Sequence, residues 1–280
     1  MIVWKYWHCI RAIWKYRDYK PQPVSWRSFM NWLLQYDKTD QEYLLQLLKS
    51  VVYMTERDTL RILVDQNRAL LRRLAADGVP AQKVVYMQVH DPGSSSGVIL
   101  NMLRDAENLE RRGCKFADSN DPIGLYELTN KLEEGAIIYV DDFAGTGNQF
   151  CSRRKMLAEC IVGSFAEFFL VPAICEEAIH QLGSIGVEPV TGHIHAKAAR
   201  PLHPNSVLLS ANVSARLVQL AKEINSQWGL GYHGLATMVV LWRNAPNTVP
   251  LLLRGSRNQG PRKGLFPRFD DLSIPETVGR

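Results

Sequence analysis

No apolar run in the 280 residues reaches the roughly 18 that a membrane span needs. The aromatic N-terminus, MIVWKYWHCIRAIWKY, is broken by Lys5, Arg11 and Lys15, so it predicts neither a signal segment nor a spanning helix. Cysteine is scarce and unpatterned: Cys9, Cys114, Cys151, Cys160 and Cys175 form an odd set without a CxxC pair or a metal-ligand spacing. Free thiols and a cytoplasmic setting are expected, not a disulfide scaffold. No G-x-x-x-x-G-K-[ST] occurs, because Gly93-Ser94-Ser95-Ser96-Gly97 lacks the lysine, and Gly145-Thr146-Gly147 has no third glycine in register. These absences set aside a P-loop NTPase and weaken a dinucleotide fold. Charge of neither sign dominates, since 33 Lys and Arg against 28 Asp and Glu leave a formal +5, which invites an anionic ligand without establishing one.

What the chain does have is a globular composition, 46% hydrophobic and 22% charged. Residues 1–78 predict a helical region: Phe29, Trp32, Leu33 and Tyr36 recur at helical spacing, as do Leu44, Leu47, Leu48 and Val51, then Leu60, Leu63, Leu70 and Leu74. Five of the seven tryptophans fall here (Trp4, Trp7, Trp14, Trp26, Trp32). Val3, Trp7, Ile10 and Trp14 would share one helical face, either packed against the rest of the chain or held out as a docking face for a membrane surface, nucleic acid or protein.

Residues 79–254 alternate strands with helices, the pattern of a mostly parallel α/β sheet. Strands are expected over 84–89, 114–117, 136–140, 165–173, 189–195 and 237–242, with helices near 98–111, 123–132, 176–182 and 211–228. Residues 255–280 read as a loop-rich tail. Its basic residues, with Arg254 before them (Arg254, Arg257, Arg262, Lys263, Arg268), suit a solvated loop or a contact with nucleic acid or phosphate. His193 and His195, two apart on a strand, have no evident third metal ligand and read as surface histidines.

The most informative stretch is the apolar run Ala136 to Val140 followed by Asp141-Asp142-Phe143-Ala144-Gly145-Thr146-Gly147-Asn148. Such a strand belongs in the centre of a parallel sheet, whose carboxyl end is where ligand groups gather. Consecutive strand residues point to opposite faces, so Asp141 and Asp142 act together only if the backbone turns there. The loop then opens a helix whose amides, with the Thr146 hydroxyl, offer a cradle for one phosphate. Carboxylates beside such a cradle suit the hydroxyls of a sugar phosphate, or a magnesium ion bridging them to a diphosphate. A second small-residue loop, 93–97, follows the first strand, with His90 and Asp91 at its mouth.

This stretch resembles the phosphoribosyl-diphosphate motif of type I phosphoribosyltransferases, although Phe143, Ala144 and Gly145 depart from the usual branched-aliphatic and hydroxyl pattern. Trp32-Leu33-Leu34-Gln35-Tyr36, Pro92 to Gly97, Asp141 to Gln149, Gly231-Tyr232-His233-Gly234-Leu235, Asn244 to Pro250 and Leu265-Phe266-Pro267-Arg268 occur in an order similar to the phosphoribosyltransferase-like proteins of bacterial conflict systems, including those encoded beside retron reverse transcriptases. The resemblance spans residues 26–268. It implies a type I phosphoribosyltransferase-like sheet with an N-terminal helical region, and an effector of an anti-phage system.

It also implies that phosphoribosyl diphosphate or a nucleotide binds with Mg2+. Asp141 and Asp142 would serve catalysis and metal, Gly145, Thr146, Gly147 and Asn148 the 5′-phosphate, and Ser94, Ser95, Ser96 and Gly97 the diphosphate. The 93–97 loop carries no Lys or Arg of its own, so Arg111, Arg112 or Lys115 would have to supply that charge. Partners compatible with the reading are a reverse transcriptase with its nucleic acid or another defence protein, and an oligomer is left open. Two other readings remain: a non-catalytic nucleotide-sensing or interaction module, and a methyltransferase that uses the glycine-rich loop for S-adenosylmethionine. The second is opposed by the strand-helix unit that precedes this loop and by the lack of an Asn/Asp-Pro-Pro-aromatic motif.

Overall fold

The computed structural model describes residues 2–89, 95–255 and 262–269, with side chains from Trp7 onward. Helices α1 (Ile2–Lys15), α2 (Trp26–Leu33) and α3 (Lys38–Lys49) lead into β1 (Val52–Met54) and the long α4 (Glu56–Ala76). Then come β2 (Val84–Gln88), α5 (Ser95–Glu107), β3 (Lys115–Ala117), α6 (Pro122–Leu132), β4 (Glu134–Val140), α7 (Asn148–Leu157), β5 (Ser164–Cys175), α8 (Glu176–Gly183) and β6 (Glu188–His195). The chain finishes with α9 (Ala211–Ile224), β7 (Val239–Leu241) and α10 (Leu251–Arg254). Among the described residues no helix is long and apolar enough to cross a membrane, and all five cysteines are free thiols.

Two compact units form, one from Met1–Glu56 with His195–Arg280, the other from Arg57–Ile194. The second unit holds a five-stranded sheet ordered β3-β2-β4-β5-β6, with β2, β3, β4 and β5 paired in parallel. Strand alternation sorts its apolar residues into two cores. Val84, Tyr86, Ala136, Ile138, Val140, Phe168 and Leu170 face α4 and α5, where Leu63, Leu70, Leu74, Ile99 and Leu103 cover them. Val85, Met87, Ile137, Tyr139, Phe169 and Val171 face α6, α7 and α8, covered by Leu125, Phe150, Leu157, Ala178 and Leu182. The apolar run 136–140 is therefore buried on both faces, and β4 is the middle strand. Helix α4, placed by periodicity with the N-terminal helices, packs on this sheet.

The other unit is assembled from chain segments far apart in sequence. Val52, Tyr53 and Met54 pair in parallel with Val239, Val240 and Leu241, so β1 interrupts a region expected to be helical throughout. Ser25 starts α2 with a capping box: Ser28 N donates to Ser25 Oγ at 3.1 Å and Ser25 N to Ser28 Oγ at 2.8 Å. Buried Asp40 of α3 receives a two-pronged bond from Arg216 of α9, at 2.9 and 2.7 Å.

Two expectations about this unit need correction, and one left open is decided. The 262–269 segment is no solvated tail: Leu265 and Phe266 are buried, Phe266 packs edge-on against Tyr16 and Tyr19, and Tyr19 OH donates to Pro267 O at 2.9 Å. Arg254 is buried at the end of α10, and Arg262 lies over the Tyr36 ring. His195 is no surface histidine but is fully buried, its Nε2 accepting from Met238 N at 3.0 Å. Of the two readings of the α1 face the outward one holds: Cys9 and Ala12 of α1 and Tyr16 just after it turn into the core, which leaves Trp7, Ile10 and Trp14 exposed.

Candidate functional site

Parallel pairing aligns Gln88 with Val140, so the chain leaves β2 and β4 at neighbouring points on one edge of the sheet. Each strand is followed by a loop and the first turn of a helix, α5 and α7, whose leading N–H groups lack intrahelical partners.

At the end of β4 the ladder continues one residue further, Asp141 N donating to Leu170 O at 3.2 Å. It then breaks: Asp142 N donates to Asp141 Oδ1 at 2.8 Å, and pairing resumes only at Ala144, which bridges Ile174. The backbone thus steps out at residues 142 and 143, as joint action of the two carboxylates requires. Asp141 is buried and Asp142 half-buried.

Ala144 itself belongs to the extended pairing, its N donating to Ala173 O and its O accepting from Cys175 N. The turn into α7 is therefore confined to Gly145 through Asn148. Gly147 takes a left-handed φ of 79°, and a Cβ there would meet Ala178 Cα and Gln181 Cβ of α8, each at 3.4 Å. The left-handed φ is what calls for glycine here, since a Cβ would make ordinary contact with α8. Thr146 Oγ1 accepts from Asn148 N at 3.2 Å. One amide expected to face a phosphate is thus engaged by the hydroxyl, which keeps its own proton to donate.

Of the second loop, Ser95, Ser96 and Gly97 form the first turn of α5, with Ser96 and Gly97 buried. A Cβ on Gly97 would lie 2.7 Å from Gln88 Oε1, so the Gln88 side-chain amide rests directly on this turn. His90, Asp91 and Ser94 lie outside the described residues.

The cations considered for the diphosphate do not reach this edge. Lys115 pairs with Val85 at the amino end of the sheet, where Arg111 and Arg112 precede it. Arg112 instead bonds Glu107, through Nε to the carbonyl at 2.9 Å and toward Oε2 at 3.4 Å.

Among the described residues no group of three or more His, Cys, Asp or Glu side chains could hold a metal. Two carboxylates at a strand end do fit magnesium, which commonly takes one or two protein carboxylates and completes its shell from water and substrate phosphate. Asp141 and Asp142 would hold such an ion only together with a ligand.

A support beneath the site was missed from sequence. Glu167, on the face of β5 that α7 covers, accepts from Arg154 of α7 through Nε at 3.0 Å and through a second guanidinium nitrogen, and from Tyr139 OH at 2.7 Å. Burial, then the Glu167 charge, pushes the Tyr139 phenol well up, and the bond to Glu167 holds Arg154 more firmly protonated. The network ties α7 to β4 and β5. A charge inside Phe165-Ala166-Glu167-Phe168-Phe169 was the available signal.

No curated protein matches the chain. Among solved structures, the orotate phosphoribosyltransferase of Aeropyrum pernix is 19% identical, covering 45% of this chain and 67% of its own, at a TM-score of 0.31. A hypoxanthine phosphoribosyltransferase of Staphylococcus aureus is 16% identical over 51% of this chain and 76% of its own, at 0.29, and the protein TT1426 of Thermus thermophilus is 16% identical over 48% and 84%, at 0.28. Scores this low identify neither substrate nor site. The model of the PRTase-CE family, by contrast, matches residues 29–268, and with that span matched the chain belongs to this phosphoribosyltransferase-like family.

Proposed function

We propose that the chain binds phosphoribosyl diphosphate, or a nucleotide carrying the same ribosyl phosphate, with magnesium at the carboxyl ends of β2 and β4, and acts on the bond at the anomeric carbon. The observation that carries this reading is the adjacency of Gln88 and Val140, from which the serine-containing first turn of α5 and the acidic pair before α7 both follow. Asp141 and Asp142 are assigned to the ribose hydroxyls and the metal, Gly145 to Asn148 to the 5′-phosphate, and Ser94 to Gly97 to the diphosphate. When bound, the ion would neutralise the diphosphate as it leaves. The chain's own part is to position the sugar and stabilise charge, which needs no nucleophilic side chain.

Within this reading the protein is a cytoplasmic effector of a retron-type anti-phage system, in company with a reverse transcriptase or another defence protein. The order of its sequence motifs supports that role. Plaque assays comparing wild type with Asp142→Ala test it: equal protection by both would contradict a defence role for this site.

One observation favours a non-catalytic nucleotide sensor instead, since neither the 93–97 loop nor residues 141–148 contain Lys or Arg. Phosphorus NMR of phosphoribosyl diphosphate incubated with protein and Mg2+, in water alone and with a mixture of nucleobases as acceptors, separates the two. Protein-dependent release of diphosphate supports the enzyme; a shifted but intact substrate spectrum supports the sensor.

A further inference from the structure

A second anionic site is built where α1 meets α3. A cavity of about 670 Å³ lies between them, lined by His8, Arg11, Lys15 and Lys49, floored by Leu45 and bordered by Trp14. No acidic side chain is among its described lining residues, and residues 1–17 contain no Asp or Glu. The first carboxylate in the chain, Asp18, accepts from Tyr53 OH at 2.8 Å. Three cations, Arg11, Lys15 and Lys49, thus share one concavity with His8, with no counter-charge among the described residues that line it.

Arg11, Lys15 and Lys49 carry like charges and repel one another across this concavity. Burial and then Lys49 and Arg11 lower His8, and burial and then Arg11 lower Lys15. Lys15 is held in place, donating to Val51 O at 2.7 Å, so it does not swing away from its neighbours. An anion seated here would relieve this repulsion.

Beside these cations stand aromatic faces that the core does not use. Trp7 is 59% and Trp14 69% exposed, with Ile10 between them at 46%. Seven helical residues separate the two indoles by about 10 Å along one face. Arg17 lies over the Trp14 ring at 5.0 Å from its centroid, which stiffens the indole without burying it. Cations in a groove beside spaced aromatic rings are the parts of a single-strand nucleic-acid site, in which phosphates meet the charges and bases stack on the rings.

We infer that the α1–α3 face binds single-stranded nucleic acid, with phosphates at Arg11 and Lys49 and a base on Trp14. The spacing of Trp7 and Trp14 favours a strand over a mononucleotide, which would reach one ring only. The site uses none of the residues assigned to phosphoribosyl binding, and the two readings stand or fall separately.

Fluorescence anisotropy of a labelled dT12 oligonucleotide titrated with the full chain at several salt concentrations tests it. Binding should weaken steeply with salt. Arg11→Gln with Lys49→Gln should weaken it at least tenfold and flatten the log–log salt slope by about 1.4, which is two phosphate contacts. Trp14→Ala should cost about 5- to 100-fold, and Trp14→Phe much less. Asp142→Ala should leave binding unchanged. The side chains exchanged on α1 and α3 are exposed, and far-UV circular dichroism checks the folding of every variant. Three outcomes would overturn the inference: unchanged affinity in both the double variant and Trp14→Ala, displacement of dT12 by dTMP at equal nucleotide concentration, or binding to phosphatidylglycerol vesicles with none to dT12.

Discussion

The amide of Asp142 donates to the carboxylate of Asp141 at 2.8 Å, so the first acidic side chain at the end of β4 fixes the backbone that carries the second. The two residues therefore differ in what they do. Asp141 is only 5% exposed and caps the point where the ladder breaks, whereas Asp142 is half-buried.

Replacing them should give separable results. Asp141→Ala leaves the Asp142 amide without that acceptor and should cost about 1–3 kcal/mol of stability, read as a lowered melting temperature. Asp142→Ala should melt close to wild type and lose ligand binding. Equal melting temperatures for the two variants would contradict the division of labour.

Gly147 marks the entry to α7. An alanine must adopt the left-handed φ of 79° and place its Cβ 3.4 Å from Ala178 Cα. Gly147→Ala should destabilise by about 1–2 kcal/mol, measured by urea unfolding. Gly78, also left-handed but with nothing within 4 Å of its Cβ position, is the control. Any greater loss at Gly147 than at Gly78 reports the contact with α8.

The Glu167 network should act on the site through α7. Glu167→Gln keeps the shape but removes the charge that holds Arg154, and because the guanidinium is partly exposed the loss should be about 1–2 kcal/mol. Hydrogen exchange should rise first in α7 amides. Unchanged exchange there would show that Arg154 does not anchor the helix.

Burial pushes the Cys9 thiol up to about 11. A thiol held above its unfolded value stabilises the fold fully below the unfolded value near 9, and that stability is lost as pH rises through 11. Stability should therefore fall between pH 9 and 11, and Cys9→Ser should shrink the fall. At about pH 8 a thiol reagent should label half-buried Cys160 ahead of buried Cys9, Cys114 and Cys175.

Much of the sheet unit was legible because its strands are nearly continuous apolar runs closed by small residues. The runs at 136–140 and 165–173 lie within β4 and β5, the run at 84–89 passes the end of β2 by one residue, and the acidic pair falls at a strand end as periodicity suggested. What was hidden depends on distant partners. Val52-Tyr53-Met54 continues the apolar spacing of α3, and only its pairing with Val239 to Leu241 makes it a strand. Nothing near Leu265 or Phe266 reveals that Tyr16 and Tyr19 bury Phe266. The direction of the α1 tryptophans stayed open because three-and-four spacing identifies a face without saying which way it points; small Cys9 and Ala12, with Tyr16, let the opposite face pack close.

Calorimetric titration of phosphoribosyl diphosphate into the full chain, with and without Mg2+, in wild type and Asp142→Ala, tests the central claim most directly. The expected result is binding that requires Mg2+ and disappears in the variant while its melting temperature holds. Binding that is indifferent to both the ion and Asp142, or no binding by the wild type, would contradict the assignment of the β4 edge to a phosphoribosyl ligand.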